Sequence, residues 1–83
     1  MNEWISVNDR LPSEGGRYLC CYDDGRITLL YFALCLHCVD EYYFDNLYRS
    51  GFYNYDHEYG YFEWGGVTHW MLLPEPPKGV KNE

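Results

Sequence analysis

Eighty-three residues, 10.0 kDa, suffice for one small domain whose stability depends on good packing. Rings supply that packing: 10 Tyr, 4 Phe and 3 Trp make 20% of the chain, and each ring brings about 150–250 Å² to bury, which excludes disorder in spite of a net charge of -7. With 13 Asp+Glu against 6 Lys+Arg there is no basic footprint for phosphates, which argues against direct nucleic-acid binding and against an anionic membrane partner.

In chain order, Met1 to Ser6 lacks a basic or apolar leader, so no signal peptide is read and a cytosolic location is expected. Residues Pro12 to Gly16 are turn chemistry. The runs Tyr18–Tyr22 and Ile27–Phe32 flank Asp23-Asp24-Gly25-Arg26, a strong hairpin signal. A two-residue turn at Asp24-Gly25 pairs Tyr22 with Ile27, Cys20 with Leu29 and Tyr18 with Tyr31. Both faces of this hairpin are largely apolar, which predicts a central position under a cover. The longest apolar stretch, residues 27–39, falls short of the roughly 20 residues a bilayer span needs. Between Ala33 and Asp40, helical spacing of Leu34, His37 and Cys38 competes with an extension of the second strand.

From Asp40 to Tyr48 the apolar positions Tyr43, Phe44, Leu47 and Tyr48 predict a short helix, with Asp40 as N-cap and Gly51 as its stop. Tyr61–Trp64 and Val67–Leu72 read as two strands around Gly65-Gly66. Pro74-Glu75-Pro76-Pro77 ends any ladder, since Pro has no N–H to give. Residues 1–77 are thus expected to form one domain, with 78–83 a frayed polar tail.

The charge is unevenly placed. Residues 40–63 hold Asp40, Glu41, Asp45, Asp56, Glu58 and Glu63 against Arg49 alone, and residues 40–64 carry eleven of the rings. One explanation is a solvated segment whose carboxylates keep an aromatic surface soluble. The other is a recognition surface, because Tyr is enriched at interface hot spots and clustered carboxylates steer toward basic partners. On the second explanation the partner-binding candidates are Asp40, Glu41, Asp45, Tyr53, Tyr55, Asp56, Glu58 and Tyr59.

Two terminal motifs carry a family resemblance. Trp4-Ile5-Ser6-Val7-Asn8-Asp9-Arg10-Leu11-Pro12 opens the domain, and Val67-Thr68-His69-Trp70-Met71-Leu72-Leu73-Pro74-Glu75-Pro76-Pro77 closes it. With Gly16-Arg17-Tyr18-Leu19 between them, the chain resembles the phage and prophage family known as domain of unknown function 551. The family usually has Pro where Leu72 stands and a shorter, less aromatic middle, so residues 33–60 look like an elaboration of this chain. The resemblance implies a phage or prophage origin and a small β-rich fold; it implies no catalytic mechanism.

Chemistry-bearing residues have bland alternatives. Cys35-Leu36-His37-Cys38 is half of a zinc knuckle, with Cys20 or Cys21 and a His as further ligands, but small buried hydrophobes are the preferred role for all four cysteines. A redox role for the Cys-x-x-Cys lacks a surrounding βαβ pattern. His69 has no evident nucleophile as partner and is expected to bond a neighbouring loop. Trp4 and Trp70 are expected to pack on one another and close the core rather than form a binding shelf. No enzyme signature and no cofactor are therefore read.

These observations predict a β-rich α+β fold: a small twisted antiparallel sheet of four or five strands with one short helix or long loop, its two terminal motifs meeting in space. They predict an acidic binding protein that docks on a basic host protein, such as a nucleic-acid-binding defence nuclease, and inhibits it in the manner of an anti-CRISPR or other anti-defence factor. The alternatives are a Cys/His metal-binding or enzymatic module and a phage assembly accessory protein.

Overall fold

Six strands form one antiparallel sheet in the order β1-β6-β2-β3-β4-β5 in the computed structural model, which describes residues 3–73. They are β1 (Ile5–Ser6), β2 (Gly16–Tyr22), β3 (Ile27–Ala33), β4 (Gly51–Asp56), β5 (Gly60–Glu63) and β6 (Val67–Leu72), with helix α1 (Leu36–Val39) between β3 and β4. The β-rich character and the single short helix agree with expectation. The strand number is higher than four or five: β1 adds a two-residue edge, and Gly51–Asp56 forms a strand that the sequence pattern had not marked out. No helix among the described residues is long and apolar enough to cross a membrane. The proline run and the polar tail lie outside the described residues.

The predicted hairpin is present and central, but its register is one residue away from the expected one. Tyr18 faces Leu30, Cys20 faces Thr28 and Cys21 faces Ile27. The cause is the turn. The Gly25 N–H donates to the Tyr22 carbonyl (2.9 Å), the Tyr22 N–H to the Arg26 carbonyl (2.9 Å), and Gly25 takes φ 90. A three-residue loop closed by a left-handed glycine therefore replaces the two-residue turn, and a slip of one residue exchanges every side chain between faces. Leu30 and Phe32, not Leu29 and Tyr31, join Tyr18, Cys20 and Tyr22 in the core.

That first face holds the main core: Tyr18, Cys20, Tyr22, Leu30, Phe32, Phe52 and Trp70. The terminal motifs meet there, with Ile5 opposite Trp70 and the Val7 N–H bonded to the Thr68 carbonyl at 2.9 Å. The loop after β1 is tied over this face by two ring donors. Trp70 Nε1 donates to the Arg10 carbonyl (2.9 Å), and the Tyr18 hydroxyl to the Glu14 carbonyl (2.9 Å). Trp70 packs edge-on against Tyr18, whereas Trp4 is 39% exposed and joins neither core cluster. The expected Trp4–Trp70 pair is thus replaced, with Ile5 supplying the apolar contact opposite Trp70.

Strands β5 and β6 do not pair across Gly65-Gly66. β5 pairs with β4, and β6 lies between β1 and β2. Between them the Trp64 N–H donates to the Phe52 carbonyl (2.9 Å) and the Trp64 ring stacks on Tyr22 with centroids 5.4 Å apart. A smaller second core of Ala33, Leu36 and Phe44, flanked by Val39, Leu47, Tyr53 and Tyr61, is built where the segment between β3 and β4 folds onto the sheet. That segment positions the candidate surface.

Candidate partner-binding surface

The surface begins at Asp40. Its Oδ1 accepts the N–H groups of Tyr42 (2.9 Å) and Tyr43 (3.0 Å), as a cap does, and the Phe44 N–H donates to the Asp40 carbonyl at 3.0 Å. The expected helix over Asp40–Tyr48 does not form. The helix lies before Asp40, at Leu36–Val39, and the residues after it make turns that include Asn46 at φ 66, upstream of the anticipated stop at Gly51. Successive rings take different destinations there: Phe44 is buried, Tyr43 lies over Gly60, and Tyr42 is 80% exposed.

Gly60 is the seat of that contact. It has φ 87, and a Cβ placed on it would collide with the hydroxyl-bearing edge of the Tyr43 ring. Glycine therefore both permits the left-handed backbone at the start of β5 and lets the ring lie against the main chain. From Tyr43 the rings run on in contact. Tyr42 meets Tyr43 edge-on (centroids 4.9 Å), Tyr43 meets Tyr61 (6.1 Å) and Tyr61 meets Tyr55 (4.9 Å). Beneath them Phe44 touches Tyr53 (5.9 Å) and Tyr61 (6.0 Å), and Tyr53 stacks on Tyr31 (5.5 Å). Strand alternation explains the set, since Tyr53 and Tyr55 share a face of β4 and pair with Glu63 and Tyr61 of β5.

The carboxylates divide by occupation. Asp56 Oδ1 accepts the N–H groups of Glu58 (2.7 Å) and Tyr59 (3.0 Å) and so shapes the turn between β4 and β5. Glu63 holds Arg49 through both oxygens, at 2.6 and 2.9 Å, and this bonding and charge push the Arg49 guanidinium pKa up. The one cation in residues 40–63 is thereby neutralised. Glu41, Asp45 and Glu58 make no side-chain hydrogen bond or ion pair among the described residues.

Asp40 thus caps the turn that carries Glu41, Tyr42, Tyr43 and Asp45, and Asp56 shapes the turn that carries Glu58 and Tyr59; the two turns are joined where Tyr43 meets Gly60, and Tyr55 joins them through Tyr61. Tyr53 is a platform: it is half-buried, and burial, then the neighbouring Tyr61 and Tyr31, push its hydroxyl pKa up. Tyr42, Tyr43 and Tyr61 are the members that sequence reasoning missed. The glycine at the start of β5 was the available signal, because the hydroxyl end of the Tyr43 ring comes so close to Gly60 that a Cβ there would collide with it.

The other candidates are placed apart from this surface. Cys20 is buried with its thiol pushed up to about 12 by desolvation, in keeping with a small core side chain. Cys35 is half-buried and Cys38 exposed, so the buried role assigned to all four cysteines does not hold for this pair. The Thr68 hydroxyl donates to the Cys21 carbonyl (3.1 Å), so His69 Nδ1 gives its proton to Thr68 Oγ1 (3.0 Å), within its own strand and not to a neighbouring loop. His37 is engaged on both ring nitrogens, by the Phe44 carbonyl (3.2 Å) and the Tyr48 hydroxyl (3.4 Å). Among the described residues no three His, Cys, Asp or Glu side chains converge as a metal site requires.

An open six-stranded sheet with a helical turn laid on one face defines a small β-rich domain. The chain belongs to the family described as protein of unknown function (DUF551), whose family model matches residues 3–78, as the two terminal motifs implied. No curated protein and no solved structure matches it.

Proposed function

We propose that this is a phage- or prophage-encoded binding protein whose acidic, tyrosine-rich flank docks on a basic protein surface and inhibits it by occlusion. One observation carries the proposal: Tyr42, Tyr55 and Tyr59 are 80%, 53% and 74% exposed beside carboxylates with no partner among the described residues. A small domain gains nothing in stability from rings so exposed, and contiguous exposed aromatic surface marks contact sites. Tyrosine suits the task because it offers a rigid apolar body and a hydroxyl at small entropic cost. The carboxylates steer the encounter and set the register, and the rings hold the complex once formed.

A basic groove that binds nucleic acid is the partner surface most complementary to this flank, which makes a nucleic-acid-binding host nuclease the natural target. The family resemblance supports the phage setting. The test uses the whole chain as bait in host lysate beside the triple variant Glu41→Lys, Asp45→Lys, Glu58→Lys. The expected result is a nuclease or other nucleic-acid-binding protein retained by the wild type, released by salt and by competing DNA, and lost by the variant. Equal capture by the two baits removes the acidic flank from the proposal.

A further inference from the structure

We propose that Cys35 and Cys38 form a dithiol that exchanges with disulfides and closes to an intramolecular disulfide in the folded protein. The two Sγ atoms stand 3.1 Å apart, and neither is sealed in the core, since Cys35 is half-buried and Cys38 exposed. A disulfide bond is about 2.05 Å long, so closure asks for an approach of only about 1 Å. The pair sits where β3 gives way to α1, with Cys35 as the residue before the helix and Cys38 in its single turn, held by the Cys38 N–H bonded to the Cys35 carbonyl at 3.1 Å. Strand, Cys-x-x-Cys and helix thus follow one another without the βαβ unit whose absence argued against redox chemistry in the sequence. The remaining cysteines are elsewhere in the sheet, Cys20 in the core of the first face and Cys21 half-buried beside it.

The environment divides the roles. Cys38 Sγ donates to Cys35 Sγ, and this bond, then the Cys38 and His37 N–H groups, lower the Cys35 pKa, while the same bond raises that of Cys38. Cys35 is the attacking thiolate and Cys38 the resolving thiol. Both line an open cleft of about 490 Å³ whose other walls include Gly16, Leu34, Val39 and Tyr53, room enough for a small disulfide or an extended peptide segment carrying one.

The exchange balances without a bound cofactor. The Cys35 thiolate attacks one sulfur of an external disulfide, forming a mixed disulfide and expelling the first external thiolate. Cys38 gives its proton to solvent, and its thiolate attacks the Cys35 sulfur and expels the second external thiolate, which takes up a proton. The external disulfide is reduced to two thiols and the protein dithiol is oxidised to one disulfide.

The test is a titration of the folded chain with glutathione redox buffers, quenched by alkylation and read by intact and peptide mass spectrometry. The wild type and a Cys20→Ala, Cys21→Ala variant are expected to lose two hydrogen masses, with the bond mapped to Cys35–Cys38 and the circular dichroism of the fold retained. Cys38→Ser should stop at one glutathione attached to Cys35. The wild type in denaturant should need a several-fold more oxidising buffer, because the fold no longer holds the sulfurs together. Stable glutathione adducts on the folded wild type, or equal oxidation of folded and denatured chains, would overturn the proposal.

Discussion

Replacing Gly60 by Ala tests whether the tyrosine surface is anchored by a ring lying on bare backbone. Two costs add. A non-glycine residue in the left-handed region costs about 1–2 kcal/mol, and Gly60 has φ 87. The added Cβ also has to expel the Tyr43 ring, which is 45% exposed in place. An aromatic side chain brings about 150–250 Å², so roughly 100 Å² returns to water, which at about 25 cal/mol per Å² is about 2.5 kcal/mol. Gly60→Ala should therefore lose about 4 kcal/mol, a large share of the roughly 4–12 kcal/mol expected for a domain of this length. Gly25→Ala is the internal reference: its φ is 90, but nothing lies within 4 Å of the added atom, so only the backbone cost of about 1–2 kcal/mol applies. Urea denaturation of both variants, repeated for Gly60→Ala in a Tyr43→Ala background, separates the costs. In that background the Gly60 penalty should shrink to that of Gly25, a coupling of about 2 kcal/mol, within the range seen for residues in contact. Equal losses for Gly25→Ala and Gly60→Ala, or a Gly60 penalty indifferent to Tyr43, would refute the reasoning.

Trp70→Ala should lose about 3–5 kcal/mol and unfold much of the population, whereas Trp4→Ala should lose under about 1 kcal/mol by the same denaturation assay. Reversal of Glu41, Asp45 and Glu58 to Lys should leave stability within about 0.5 kcal/mol per site, while Asp40→Ala and Asp56→Ala should each lose about 1 kcal/mol by removing a cap, as melting curves would report. Burial raises the Cys20 pKa from its ordinary 9.0 to about 12, so the folded state keeps its proton where the unfolded chain has lost it. That contribution is whole below about pH 9 and falls away as pH climbs towards 12. Cys20→Ala should flatten part of this decline in denaturation measured at about pH 8 and pH 11; the remainder comes from Tyr18, Tyr22 and Tyr53, whose hydroxyl pKa values burial also raises.

Where the pattern was local and the turn chemistry strong, the sequence was legible. Asp-Gly between β-prone runs announced β2 and β3, the closing motif announced β6, and the apolar ends announced the junction of β1 with β6. The hairpin register was not legible, because Asp23-Asp24-Gly25 serves a three-residue loop as well as a two-residue turn, and only the sheet context decides. Strand β4 was hidden because its rings, Phe52, Tyr53 and Tyr55, are equally at home in a loop, and the turn residues that close its hairpin, Asp56 and Gly60, stand at the ends of His57-Glu58-Tyr59 and not within it. The expected helix does not form although Tyr43, Phe44, Leu47 and Tyr48 have helical spacing, because the adjacent rings Tyr43 and Phe44 both turn to Tyr61 of β5, the one over Gly60 and the other from the core beneath. For the surface, the residue types and the stretch of chain were readable. Occupation was not: that Asp40 and Asp56 are committed to backbone N–H groups, and Tyr53 to support, emerges only when the chain is folded.

The first face and the segment laid on the second answer different demands. The main core draws on five strands and both terminal motifs, and its Trp70 indole and Tyr18 hydroxyl fasten the loop above them. The segment from α1 to Arg49 contributes no strand and closes on itself: the Leu36 N–H donates to the Arg49 carbonyl at 2.9 Å, and the His37 N–H to the Leu47 carbonyl at 3.0 Å. Its ends are therefore side by side, as in an Ω-loop. Beside one end stands the Cys35–Cys38 pair, and at the other Arg49 grips Glu63 of β5. Phe44 and Leu36 fix the loop from beneath, and Tyr42, Glu41 and Asp45 are left on its outside. A rigid sheet carrying a self-closed loop can change the loop's outward residues without disturbing its own core. That separation explains how a chain this short can hold a well-formed core while leaving so many rings and carboxylates at its surface.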